Sequence, residues 1–384
     1  MSRSDPSPPH EVYWDHCATT PLSPGVIEAM SEALKRHFAN PSSAHRWGQA
    51  SRDLIESARA SLAALLGVQA RELFFTSGAT ESNQIALLST PERVSSPGHI
   101  ITQETEHSAV LGPINALKQR GYEVSTLRVN SLGLVSVEQV AQAIRPETQL
   151  VSIMHANNEI GTVQPIAAIG ELIAHTASPH CLFHVDGAQS TGKIPLDLDA
   201  LQVDLFSLSA HKFNGPKGIG ALYIKRRSKR RGLLKLPPIS FGGGQERGVR
   251  PGTLATHQII GLGVAAKEAR SALAAQENIR LKEKVDRLWA GLQALDPSSK
   301  RQGTGGAPHV LSVTVSNELL SLIEERWAHI AFSRGSACHS SQGSPSHVLT
   351  ALGLSSEEAS RTLRFGLGLS TSIEEIDESL SILA

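Results

Sequence analysis

Short, mostly apolar runs recur along the chain and end on polar residues: Leu73 to Phe75, His99 to Thr102, Leu150 to Met154, Cys181 to Val185 and Val203 to Leu208, with a further strand around Val124 to Val129. Continuous rather than alternating apolar character predicts strands buried on both faces, as in a parallel sheet. Helical spacing fills the intervals. Val26, Met30, Ala33 and Leu34 mark one helix, Gly48 to Leu66 a second that stops at Gly67, and Ile85, Leu87 and Leu88 a third. Strands alternating with helices predict an α/β fold with a mostly parallel sheet covered on both faces, and ligands then sit at the carboxyl ends of the strands. The rhythm stops near Thr256, after which a long charged helix is expected from about Gly263 to Leu295. A large domain over residues 21–261 and a smaller one over 262–384 follow, with residues 1–20 as an arm joining the smaller one. A short strand is expected at Val12 to Asp15, after the Pro- and Ser-rich residues 1–10.

The 384 residues carry a formal charge of zero, so no overall field favours nucleic acid or an anionic membrane. Lys225 to Arg231 is one dense basic run; a solvated loop is the reading favoured over direct nucleic-acid binding. No apolar run reaches spanning length and the first residues lack a signal-peptide pattern, which points to a cytoplasmic protein without a membrane partner. Three cysteines, Cys17, Cys181 and Cys338, are too few for a disulfide framework. His175, His180, Cys181 and His184 match no common zinc spacing, so no metal is expected.

The polar strand tips carry the chemistry. Thr76 to Asn83, between a strand and a helix, is an arrangement that offers backbone N–H groups to an anion, or else a capping box with Ser77 or Thr80 as the cap. His107 would stack on an aromatic cofactor, bind metal or cap the next helix. Asp186 ends one apolar run, and Lys212 follows another beside Ser209 and His211, on a tight turn marked by Asn214-Gly215-Pro216. Taken singly, Lys212 reads first as a solvated lysine and Asp186 as a helix cap. Together the tips meet one demand: Thr80 for a phosphate, His107 for a ring face, Asn158 for a ring oxygen, Asp186 for a ring nitrogen and Lys212 for an aldehyde. Pyridoxal phosphate asks for all of these.

The stretches SGATESN, TETEHSAV, SIMHANNEIG, HVDGAQSTGK, SLSAHKFNGPKGIGALY, GGGQERGVRPGT and SRGSACHS resemble those of cysteine desulfurases, within the class V aminotransferase-like, fold-type I pyridoxal phosphate enzymes. The similarity runs from about Tyr13 to the C-terminus. It implies a large domain with a mostly parallel seven-stranded sheet and a smaller α+β domain. Lys212 would hold the cofactor covalently, with Ala79, Thr80, Ser209 and His211 at its phosphate, His107 on its ring, Asp186 at its ring nitrogen, and Asn158 and Gln189 at its ring oxygen. Thr253 matches a residue that in the family reaches the phosphate of the neighbouring subunit, which implies a homodimer. Arg364 matches the clamp for the substrate carboxylate, with Asn158 beside it.

Cys338 separates a desulfurase from a plain aminotransferase. It sits in a polar, glycine-bearing stretch, Ser333 to Pro345, where a merely structural cysteine is out of place. Its thiolate would take the sulfur of L-cysteine as a persulfide, leaving L-alanine, and its segment would have to move to hand that sulfur on. Another class V enzyme, an aminotransferase or a selenocysteine lyase, is the alternative. Ser316 to Glu325 departs from the family by lacking an acidic, glycine-bearing turn. The chain also stops at Ala384 without the extension that housekeeping members use to dock an iron–sulfur scaffold. The acceptor protein is left open among iron–sulfur assembly, tRNA thiolation and DNA phosphorothioation.

Overall fold

A computed structural model describes residues 11–93, 97–228, 232–334 and 345–384. Seven strands form its large sheet: β2 (Leu73–Thr76), β3 (His99–Gln103), β4 (Glu123–Leu127), β5 (Thr148–Ser152), β6 (Leu182–Asp186), β7 (Leu205–Ser209) and β8 (Gly220–Ile224), after a short β1 (Val12–Tyr13) that lies elsewhere. Their order is β2-β8-β7-β6-β5-β3-β4, and β8 alone runs against its two neighbours. The apolar runs serve both faces by the two-residue alternation of a strand: Phe183, Val185 and Phe206 join one hydrophobic cluster, Leu182 and Leu205 the cluster opposite.

Helices α1 (Pro24–Arg36) and α2 (Arg46–Leu66) start on side-chain caps, Ser23 and His45, and α2 ends at Gly67 in the left-handed region (φ 69°). Leu34, expected on the buried stripe of α1, is 58% exposed; Val26 and Ala33 are the buried residues of that helix. The long helix expected over 263–295 is two helices, one from Thr256 to Ala274 and one from Glu277 to Leu295, broken where Gln276 takes φ 59°. The break separates two packing duties. The first helix buries Ile259, Leu262, Ala265 and Ala266 in the cluster against the large sheet, while the second buries Leu281, Val285, Leu288 and Leu292 in a different cluster with Trp14, Trp327 and Phe365.

That second cluster lies on a four-stranded antiparallel sheet ordered Lys300–Arg301, Val310–Thr314, Thr362–Gly366, Ser333–Arg334. The N-terminal segment threads past it. β1 pairs in parallel with Ile330–Ala331, Asp15 bridges to Gly366, and the chain then runs on to the polar edge of the large sheet. The expected strand Val12 to Asp15 is therefore shorter, ending at Tyr13.

Candidate active site

The carboxyl ends of β2, β6 and β7 open onto a cavity of about 510 Å³ whose wall includes Ala79, Thr80, His107, Asn158, Asp186, Gln189, Ser209, His211 and Lys212. Strand geometry puts them there, because each lies at the carboxyl end of a strand or in the segment just beyond it. Arg364 and Thr253 are not part of that wall.

Lys212 closes a 3₁₀ turn, Ala210–Lys212, directly after β7. Its Nζ donates to the carbonyl oxygens of Cys17 at 2.7 Å and Ala18 at 2.9 Å. Asp186 ends β6 and is buried; its Oδ2 accepts from Asn83 Nδ2 at 2.7 Å and its Oδ1 from the Ala188 amide at 3.0 Å. Both oxygens are fixed by donors from two different elements, so the carboxylate is held in one orientation toward the cavity it lines.

Helix α3 (Ala79–Ser89) presents its N-terminus here with Gly78 at the N-cap and no side-chain cap. The capping box expected with Ser77 or Thr80 does not form, and the Glu81 carboxylate instead accepts from the Ser77 amide. A helix start without a side-chain cap keeps its first amides available to an anion. The backbone is tight there: a Cβ on Gly220 would meet Gly78 Cα at 2.7 Å and Leu208 O at 2.3 Å. Only glycine at 220 lets β8 pass this close to the start of α3.

His107 caps helix Ser108–Gln119, its Nδ1 accepting from the Ala109 amide at 3.1 Å. Capping and a role at the cavity are compatible, since the cap fixes the ring's rotation. The poorly solvated wall holds its pKa below the ordinary histidine value, against the pull of Asp186. His211 is pushed down to about 4 by burial and by Lys212, Lys217 and Lys193, and its Nδ1 lies 3.1 Å from Thr19 Oγ1. Gln189 Nε2 donates to Cys17 O at 2.9 Å.

Arg364 is buried beside the cavity, on strand Thr362–Gly366. Its guanidinium donates to Asp15 Oδ1 and Ser333 Oγ, each at 2.9 Å, and to Asn158 O at 3.3 Å. Thr253 is exposed. Cys338, expected to carry the sulfur, lies outside the described residues, as does part of the basic run. His184, one of the histidines considered for zinc, is buried between Ser152 Oγ at 2.8 Å and Ser207 Oγ at 3.0 Å.

Sequence reasoning missed the N-terminal contribution. Cys17, Ala18 and Thr19 act through backbone oxygens and one hydroxyl, and carbonyl oxygens have no residue-type signature. Asn83 stood in the SGATESN motif without a role; its one-turn offset from Ala79 on α3 was the available signal.

The cavity thus offers an amine for an aldehyde, a carboxylate for a ring nitrogen, an amide for a ring oxygen and a helix N-terminus for a phosphate, which is the donor set pyridoxal phosphate needs. Residues 12–378 match the family model for aminotransferase class-V, and the chain belongs to that family of pyridoxal phosphate enzymes. Its relatives narrow the class. The cysteine desulfurase IscS of Tolumonas auensis is 44% identical over 97% of this chain and 91% of its own length. A solved NifS-like protein superposes with a TM-score of 0.87 at 34% identity, covering 97% of this chain and 98% of its own. The structure of SspA in complex with cysteine superposes at 0.79 with 39% identity, covering 93% and 98%.

Proposed function

We propose that this chain is a cysteine desulfurase that converts L-cysteine to L-alanine and holds the released sulfur as a persulfide on Cys338. The observation that carries the reading is that Lys212 and Asp186 line one cavity with the uncapped start of α3. Pyridoxal phosphate bound there supplies the electron sink that lets bonds at the substrate's α-carbon be made and broken.

The chain's own residues supply the rest. Lys212 is the amine for the cofactor's aldehyde and then a proton carrier at the substrate's α-carbon; Asp186 stabilises a positive ring nitrogen; the first amides of α3 with Ala79, Thr80, Ser209 and His211 hold the phosphate. His107 stacks on the ring, and Gln189 and Asn158 meet its oxygen. Arg364 pairs with the substrate carboxylate. The Cys338 thiolate attacks the substrate sulfur: the carbon–sulfur bond breaks, a sulfur–sulfur bond forms, and the electron pair left on carbon takes up a proton as alanine is completed.

The reading extends to a homodimer in which Thr253, exposed and away from its own cavity, serves the partner's phosphate site, and to an acceptor protein that takes the sulfur. A division into a large unit over 21–261, a small unit over 262–384 and an arm before residue 21 that joins the small unit is supported by the two sheets and their separate clusters; helix Thr256–Ala274 straddles that boundary. Incubating the purified protein with L-cysteine and no keto acid tests the function. Alanine in step with protein-bound persulfide is expected, whereas an absolute need for a keto acid would make it an aminotransferase.

A further inference from the structure

The structure assigns a positioning role to His309, a residue outside every motif of the sequence. Its ring is fully buried just before strand Val310–Thr314, and its Nε2 lies 3.0 Å from Gln189 Oε1. Gln189 is the cavity-wall amide whose Nε2 donates to Cys17 O at 2.9 Å.

The direction of this relay follows from hydrogen-bond chemistry alone. A carbonyl oxygen only accepts, so the nitrogen of the Gln189 amide faces Cys17 and its oxygen faces His309. That oxygen also only accepts, so the proton of His309 sits on Nε2. Nδ1 has no partner among the described residues. Burial, with Lys193, His16, Lys212 and Arg364 adding to it, holds the ring well below the ordinary histidine range, and it is neutral with one N–H to give.

Cys17 O is a shared anchor, because Lys212 Nζ also donates to it at 2.7 Å. His309 is the anchor for which Lys212 does not compete. It holds the Gln189 amide by its oxygen while one N–H goes to Cys17, leaving the second N–H for the cavity that Gln189 lines. A residue leading into the small sheet thereby orients an amide of the large sheet's cofactor wall. This role rests on the reading of the cavity as the pyridoxal phosphate site.

The test compares His309→Phe, which keeps a ring but donates nothing, with His309→Gln, which restores a donor, each alone and in a Gln189→Ala background. His309→Phe should weaken cofactor retention by about tenfold, the worth of one buried hydrogen bond, with His309→Gln nearer to wild type. In the Gln189→Ala background His309→Phe should add nothing. Nitrogen NMR of the cofactor-free protein should show His309 protonated on Nε2. Retention by His309→Phe equal to that of wild type, an equal loss in both backgrounds, or a proton on Nδ1 overturns the role of His309. A wild-type protein that takes up no cofactor through Lys212 overturns the site reading instead.

Discussion

Lys212 Nζ and the carbonyl oxygen of Cys17 are 2.7 Å apart, so the amine expected to bind cofactor is parked on the backbone of the N-terminal segment. With Ala18 O as a second acceptor at 2.9 Å, the amine is held by two carbonyl oxygens of that segment. Lys212→Ala should therefore lose both the yellow cofactor absorbance and turnover. It should stay folded, at a cost of about 1–2 kcal/mol for the two lost hydrogen bonds. Absorbance spectra and a thermal melt check this; retained colour with retained activity would refute the assignment.

Cys338→Ser should bind cofactor and cysteine yet form no persulfide, because a serine hydroxyl is barely ionised at neutral pH and cannot carry the sulfur. The other thiols are poor candidates: Cys17 is 1% and Cys181 0% exposed, and burial pushes the Cys17 thiol up. Mass spectrometry after brief exposure to cysteine should find the added sulfur on Cys338. Finding it on Cys17 or Cys181 would sink the mechanism.

Arg364 is held by Asp15 and Ser333, which fix the guanidinium's plane beside the cavity. Arg364→Lys keeps the charge and loses the fork, so KM for cysteine should rise and kcat/KM fall by roughly 10- to 100-fold with cofactor retention unchanged. Steady-state kinetics with a cofactor titration separate the two; an unchanged KM would remove Arg364 from the substrate site.

Lys193 is 8% exposed and its Nζ has no hydrogen-bond partner among the described residues. Burial lowers its pKa from 10.5 to about 7. Between those values the unfolded chain binds a proton that the folded chain does not, so this residue's contribution to stability is present above pH 10.5 and is lost as pH falls toward 7. Lys193→Met removes the buried amine while keeping an unbranched stem, and should stabilise the protein at pH 7 by on the order of 1–3 kcal/mol. Denaturant titrations at pH 7 and above pH 10 should show the gain shrinking at the higher pH. A gain that does not depend on pH would mean that the folded and unfolded chains bind the proton equally, and would refute the lowered pKa.

What could be read from the sequence was whatever depends on residue type at a strand tip. Asp186, Lys212 and His107 follow buried runs, and a buried run can end only where the sheet does. Gly67 marked a helix end because its left-handed backbone is costly for other residues. The break at Gln276 was hidden, since neither glycine nor proline announces it and only the diverging packing of the two helices calls for it. Cys17 O, Ala18 O and His309 were hidden for a related reason: they matter through atoms or distant partners that a linear motif does not expose.

Trp14 packs edge-on against Trp327 and Phe365 in the small sheet's cluster, and only a few residues later the same stretch of chain supplies the oxygens that hold Lys212 and Gln189. The N-terminal segment thus works as a tie rod between the two sheets. Cofactor grip and small-sheet packing share that rod, so a destabilising substitution at Trp14 or Trp327 should announce itself as bleached enzyme before it appears as unfolded protein.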